Sequence, residues 1–137
     1  EPVSLFRAVK RFLVQFGIPA SESMRKKWRR ATIQDDPNLH IPFHKGTLSF
    51  AGGGSNSRTS QLFISYGDNK GLGRSSPWET PLGFVRPESL AVVDAWYTGY
   101  GDMPSFKGGH GPEQGRPVCF QSRNGELERP AVRPGRV

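Results

Sequence analysis

Glycine and proline punctuate this sequence so often that long helices have no room. The 137 residues include 17 glycines and 12 prolines, well above average usage and without a collagen period. A proline inside a helix costs about 3 kcal/mol and a glycine about 1 kcal/mol. A helical bundle is therefore not expected, and strands, turns and loops are. The length suits one domain. The hydrophobic fraction is 34%, which limits the core and leaves part of the chain without enough apolar surface to order it.

Several classes are excluded early. Cys119 is the single cysteine, so neither an internal disulfide nor a thiolate metal cluster can form. His40 and His44 stand four apart with Pro42 between them, which breaks a shared helical face, so no metal site is expected there. No run approaches the roughly 20 apolar residues that span a bilayer. The chain opens at Glu1 rather than at a methionine, so an upstream targeting segment stays open.

Charge is unevenly placed. The formal net charge is +7, and residues 1–30 alone carry eight basic and two acidic side chains. Much of the excess is the run Arg25-Lys26-Lys27-Trp28-Arg29-Arg30. Such a run can grip phosphates and stack a base on its tryptophan. The plainer reading, a solvated face whose Trp28 rests on the body, is favoured, because no nucleic-acid fold motif surrounds the run.

Residues 5–18 read as one strand-like segment, with Phe6, Val9, Phe12, Leu13, Val14 and Phe16 apolar, though the alternation is partial and leaves a helix open. Ser21 or Ser23 is placed to cap a short helix reaching Arg30. Asp35-Asp36-Pro37 is a turn signal. Gly46-Thr47-Leu48-Ser49-Phe50-Ala51 alternates like a strand, with Leu48 and Phe50 on one face. Gly52-Gly53-Gly54 ends it. A phosphate cradle is excluded there because no Gly-Lys-Ser/Thr follows. Ser60-Gln61-Leu62-Phe63-Ile64-Ser65 reads as a second strand, residues 67–81 as a loop and 82–85 as a short strand. Residues 88–97 read as a helix started by Pro87 and stopped by Gly99. From Gly101 onward turn formers dominate.

Three motifs then stand in order. Phe6-Arg7-x-Val9-x-x-Phe12-Leu13-x-Gln15-x-Gly17 resembles the first signature of cyclophilins, the cyclosporin-binding peptidyl-prolyl cis-trans isomerases. Gly46-x-Leu48-Ser49-Phe50-Ala51 and the following Ser60-Gln61-Leu62-Phe63-Ile64 resemble the second. Leu82-Gly83-x-Val85 with residues 90–96 resembles the third. The phrases Gln15-Phe16-Gly17-Ile18-Pro19 and Tyr97-Thr98-Gly99-Tyr100-Gly101-Asp102 are similar to a divergent bacterial and protist branch. The resemblance implies a mainly β fold: an antiparallel β-barrel with a capping helix, incomplete at both ends. Residues 1–105 would form this domain, and 106–137 a Gly/Pro/Arg-rich, partly irregular extension. The opening strands would precede Leu5, and nothing after Asp102 resembles the closing strand. Three accounts of such open edges stand: the sequence is part of a longer one, other subunits cover the edges, or the residues after Asp102 supply an unfamiliar strand.

The resemblance also implies a chemistry that needs no metal, nucleophile or cofactor. Arg7 matches the catalytic arginine, which donates to the prolyl nitrogen of a twisted amide. Gln15 would orient Arg7, and Phe12 completes that catalytic set. Leu13 and Phe63 would complete the dry proline pocket with Phe12. Gln61, Ala51, Gly52 and Gly53 would line the neighbouring wall, and Leu72 a further apolar position. Taken alone, Arg7 would read as a surface strand arginine, and Phe12, Phe63 and Leu48 as core. Departures from the pattern are specific. Gly52 and Gly53 stand where the family has Asn and Ala, Glu79 stands at the pocket histidine, and the pocket tryptophan aligns near Gly71, with Trp78 a substitute from the longer loop. They imply weaker cyclosporin binding. Three functions follow: an isomerase of proline-containing peptides, a catalytically weak interaction subunit of a larger assembly, or a basic nucleic-acid binder. The first is preferred because Arg7, Phe12 and Gln15 are all present.

Overall fold

The structure, a computed structural model, describes residues 4–106 and 109–111. Cys119 and nearly all of the 106–137 extension lie outside these residues.

Five short strands form one antiparallel sheet. They are β1 (Leu5–Val9), β2 (Leu13–Phe16), β3 (Thr47–Phe50), β4 (Leu62–Ser65) and β5 (Pro81–Phe84), in spatial order β1-β2-β4-β3-β5. Among the described residues the sheet does not close: β1 and β5 are its edges. Two helices accompany it, α1 (Glu22–Arg29) and α2 (Leu90–Ala95).

The segment 5–18 is two strands rather than one. Phe12 N–H donates to Val9 O at 3.0 Å and Arg11 takes φ 63°, so the chain reverses over 10–12 and Val9 pairs with Leu13. The sequence offers no Gly, Asn or Pro at that reversal, so the turn carries no local signal. Gly17 is required. It sits at φ 98°, and a Cβ there would lie 2.2 Å from Ser60 O.

Ser21 caps α1 as expected, its hydroxyl accepting from Met24 N–H. The second helix is shorter than expected. Pro87–Ser89 form a 3-10 turn and only Leu90–Ala95 are α-helical. A single residue, Val93, is buried on it, too small an apolar face to carry the helix further.

Strand alternation builds two cores from one ladder. Val14 and Ile64 pair across β2 and β4 and pack with Ala8 and Val93. Their neighbours Leu13 and Phe63 point to the opposite face and pack with Phe43. The rings of Phe43 and Phe63 stack at 5.6 Å between centroids. On β3, Leu48 and Phe50 share a half-buried face, while Thr47 and Ser49 are fully buried. Both hydroxyls find partners. Ser49 Oγ donates to Thr80 O at 2.9 Å, and Thr47 Oγ1 accepts from His44 N–H at 3.0 Å, which offsets the desolvation of burying them.

Asp35 and Asp36 lie in an irregular loop, not the expected turn. Their carboxylates hold Arg58, which is 1% exposed: Asp36 Oδ2 accepts from Arg58 Nη1 at 2.8 Å, and Asp35 Oδ1 lies 3.3 Å from Nε. Arg58 also donates to Gln34 O and packs its guanidinium over Phe50. A buried cation survives only with such pairing, and here it fixes the loop that leads into β4.

Candidate active site

Where β2 and β4 face away from α2, the sheet surface opens into a groove of about 670 Å³. Leu13 and Phe63 form its floor, since Leu13 is 3% and Phe63 1% exposed. Phe12, Ala51 and Leu72 pack around that floor as half-buried apolar neighbours. The result is a concave surface with an apolar floor and a polar rim, the usual form of a small-ligand site.

The rim is a chain of hydrogen bonds that alternation also dictates. Arg7 on β1 faces Gln15 on β2, its register partner, and Arg7 Nη1 donates to Gln15 Oε1 at 3.3 Å. Gln15 Nε2 in turn donates to Gln61 Oε1 at 2.8 Å. Gln15 is 7% exposed, so both ends of its amide are satisfied inside the groove wall. Phe12 lies beneath Arg7, with the guanidinium carbon 5.5 Å from the ring centroid.

The opposite wall is the Gly52-Gly53 segment and Glu79. Gly52 N–H approaches Glu79 Oε1 at 3.4 Å. Burial pushes the Glu79 carboxyl upward from its ordinary value, against the lowering effects of that N–H and of the Arg7 charge. Trp78 does not line the groove. Its indole Nε1 donates to Gly52 O at 3.0 Å, and a Cβ on Gly52 would lie 2.7 Å from the indole Cδ1. Glycine at 52 therefore goes with the Trp78 packing. A Cβ on Gly53 meets nothing within 4 Å.

Every site residue expected from the sequence lines this one groove: Arg7, Phe12 and Gln15 with Leu13, Gln61 and Phe63 on the strands; Ala51, Gly52 and Gly53 after β3; Leu72 and Glu79 from the 67–81 loop. Gly71 does not. His44 hydrogen-bonds Asp68 at 2.9 Å, away from the groove.

The sequence reading missed the segment after α2. Asp102 receives Arg7 Nε at 2.7 Å and Arg7 Nη2 at 2.9 Å, a bidentate pair. Phe106 covers the guanidinium at 4.4 Å from its ring centroid, and Met103 joins them in lining the groove. Burial would raise the Asp102 carboxyl. The Arg7 hydrogen bond, the Met103 N–H and the Arg7 charge together outweigh it and hold the carboxyl below its usual value. Asp102 and Arg7 are 95 positions apart, so no local spacing announces the pair.

Chemically, the groove offers an oriented, permanently charged donor beside an apolar floor. Among the described residues no cluster of three or more metal-ligating side chains occurs, and no helix is long and apolar enough to cross a membrane.

Comparison with known proteins gives one family. The family described as cyclophilin type peptidyl-prolyl cis-trans isomerase/CLD matches residues 2–107. Among solved structures, the chain is similar to a cyclophilin type peptidyl-prolyl cis-trans isomerase of Cryptosporidium parvum. The TM-score is 0.54 at 20% identity, covering 82% of this chain and 67% of that one. A second structure of that isomerase, in the presence of the dipeptide Ala-Pro, gives a TM-score of 0.54 at 21% identity, covering 83% and 69%. At such identity the likeness is one of fold. No curated protein matches the sequence.

Proposed function

This chain belongs to the cyclophilin-type peptidyl-prolyl cis-trans isomerase family, and from that premise we propose that it isomerises X-Pro bonds with Arg7 as the charged donor. The observation that carries this reading is the placement of Arg7, held by Gln15 and Asp102, at the rim of the Leu13–Phe63 floor.

Rotation about an X-Pro bond must break amide resonance, a barrier of about 18–20 kcal/mol. Acceleration by about five decades requires roughly 7 kcal/mol of stabilisation selective for the twisted state. In that state the prolyl nitrogen carries a localised lone pair. A donor already fixed in place and permanently charged favours it over the planar amide. Arginine has five N–H donors. Two of those of Arg7 go to Asp102 and one to Gln15, so two remain for the substrate. The proline ring occupies the apolar floor, where water is excluded and the donor acts at low dielectric. The Gly52-Gly53 wall, lacking side chains, lets a peptide backbone run close to it. The C. parvum relative in the presence of Ala-Pro makes a short Ala-Pro peptide the natural first substrate.

A second reading, an interaction subunit with little turnover, draws on one observation: Asp102 already takes the Nε–Nη2 edge of Arg7. On that reading the groove docks a peptide without twisting it.

The test is cis-trans exchange in an Ala-Pro-Phe peptide followed by NMR, with Arg7→Ala beside the parent chain. Acceleration that disappears in the variant supports the isomerase. A folded chain that binds the peptide and leaves its exchange rate unchanged supports the docking reading instead.

A further inference from the structure

A second cavity, of about 570 Å³, adjoins the groove and shares Ser57, Thr59 and Gln61 with it. Its outer wall is α1. The residues of α1 that line it include Arg25, Lys26, Trp28 and Arg29, and the one acid among its lining residues is Glu22. Glu22 is already paired with Lys26 at 2.8 Å. Arg25 donates to the backbone carbonyls of Pro19 and Ala20, neutral acceptors that leave its charge uncompensated. Arg29 has no ion pair among the described residues. The cavity is therefore cationic by two charges, and Ser57, Thr59 and Ser60 line its inner wall, the Ser57 hydroxyl being already donated to Gly54 O.

The helix is otherwise hard to explain. None of its residues is buried, so it contributes little to the core. Four of its eight residues are lysine or arginine. Like charges this dense on a short helix repel one another. Trp28 stays 40% exposed. An anionic group in the cavity would relieve that repulsion, with Thr59 and Ser60 as hydroxyl donors and the indole as an apolar flank.

We propose that this cavity is a specificity subsite of the chain. It takes a carboxylate side chain of the peptide whose proline occupies the adjoining groove, so that acidic proline segments are the preferred substrates. The inference rests on the isomerase reading only for the location of the proline. Gln61 lines both spaces and accepts a hydrogen bond from Gln15, so the residues flanking a proline in the groove are the ones within reach of the cavity.

The test walks Glu, Gln or Lys through the positions flanking Ala-Pro in a short peptide. Dissociation constants come from NMR titration and turnover from exchange, on the full chain and on Arg29→Gln, Arg29→Glu and Lys26→Gln. Folding of each variant is checked by its amide spectrum. At one flanking position the Glu peptide should bind about fivefold more tightly than the Gln peptide, the size an exposed ion pair supplies. It should exceed the Lys peptide by more, and the preference should shrink with added salt. Arg29→Gln and Lys26→Gln should each reduce the Glu/Lys ratio, and Arg29→Glu should invert it. Equal binding of the Glu and Lys peptides, or a ratio untouched by all three variants, overturns the subsite whatever the turnover. A charge preference in binding without turnover keeps the subsite and removes the isomerase reading. A short oligouridylate that displaces the Glu peptide, and loses affinity in the same variants, overturns the peptide assignment in favour of a nucleic-acid contact.

Discussion

The two faces of the β2–β4 ladder are made by the same eight residues and obey different rules. On the face toward α2, Val14 and Ile64 meet Ala8 and Val93, with Tyr66 packed against them and its hydroxyl buried without a hydrogen-bond partner among the described residues. On the opposite face, Leu13 and Phe63 support the Arg7–Gln15–Gln61 chain and its partner Asp102. The first face is held mainly by volume and hydrophobicity. The second needs directed donors held in a partly desolvated place, where each unmatched group costs free energy. Under the proposed function the odd positions of these strands carry the chemistry as well as a second core of Leu13, Phe43 and Phe63, while the even positions serve packing alone. Substitutions one residue apart should have different kinds of effect.

The largest effect belongs to the sealed face. Val14 is 0% exposed. In Val14→Asp a carboxylate is buried without a partner, a cost of several kcal/mol against a total stability of about 5–15 kcal/mol. We expect no cooperative thermal transition by circular dichroism. A variant that melts like the parent would break the division between the faces. On the groove face, Arg7→Ala should lower kcat/KM by about a hundred- to a thousandfold, as removal of one preorganised donor does elsewhere. It should shift the melting temperature by only a few degrees. If the melting temperature collapsed instead, Arg7 would be a structural residue and the groove face would have no separate role.

The same division explains what could be read from the sequence. The groove floor and rim were legible through the family resemblance, whose first motif carries Arg7, Phe12, Leu13 and Gln15 at fixed offsets; taken alone, Arg7 reads as a surface arginine and Phe12 as a core residue. Gln61 and Phe63 were legible as a strand from the Ser60–Ser65 pattern, and as site residues only through the second motif of the resemblance. The reversal at 10–12 was not, because Arg11 adopts φ 63° without the glycine or asparagine that usually marks that conformation. Asp102 and Phe106 were not, because their contacts with Arg7 span nearly the whole described chain. The Asp35–Asp36 segment looked like a turn because acidic residues before proline usually are. Burial of Arg58 makes them counter-ions instead, and no local pattern encodes that.

Asp102 gives the next test, and it sharpens the contrast within the groove itself. If the bidentate pair orients Arg7, Asp102→Asn should lower turnover by about tenfold, the loss of roughly 1.4 kcal/mol of positioning. If Asp102 instead competes with the substrate for Arg7, turnover should rise. The acid limb distinguishes the two again. The Asp102 carboxyl lies below its usual value in the folded chain, so the pair's contribution is complete above the unfolded value of about 3.9. It is lost as the pH falls through the lower folded value. Turnover limited by this group should therefore be level near neutrality and fall only in strong acid. Asp102→Asn should remove that limb.

The smallest effect is expected at Glu79, on the wall facing Arg7. Its carboxyl is pushed upward in the folded chain by burial, a cost that the Gly52 N–H and the Arg7 charge only partly offset. A raised carboxyl stabilises the fold below its unfolded value of about 4.3 and gives up that contribution as the pH rises through the folded value. At neutral pH, Glu79 is therefore a mild liability. Glu79→Gln should raise stability there by no more than about 0.5 kcal/mol, within the usual range for a substitution outside the sealed core. The gain should shrink in acid, where the parent carboxyl is itself neutral. Thermal melts of both chains across that pH range measure it directly. A loss at neutral pH would mean that the Glu79 charge is needed opposite Arg7. The wall would then belong with Asp102 as part of the arginine's ionic cage, rather than with the uncharged glycine segment beside it.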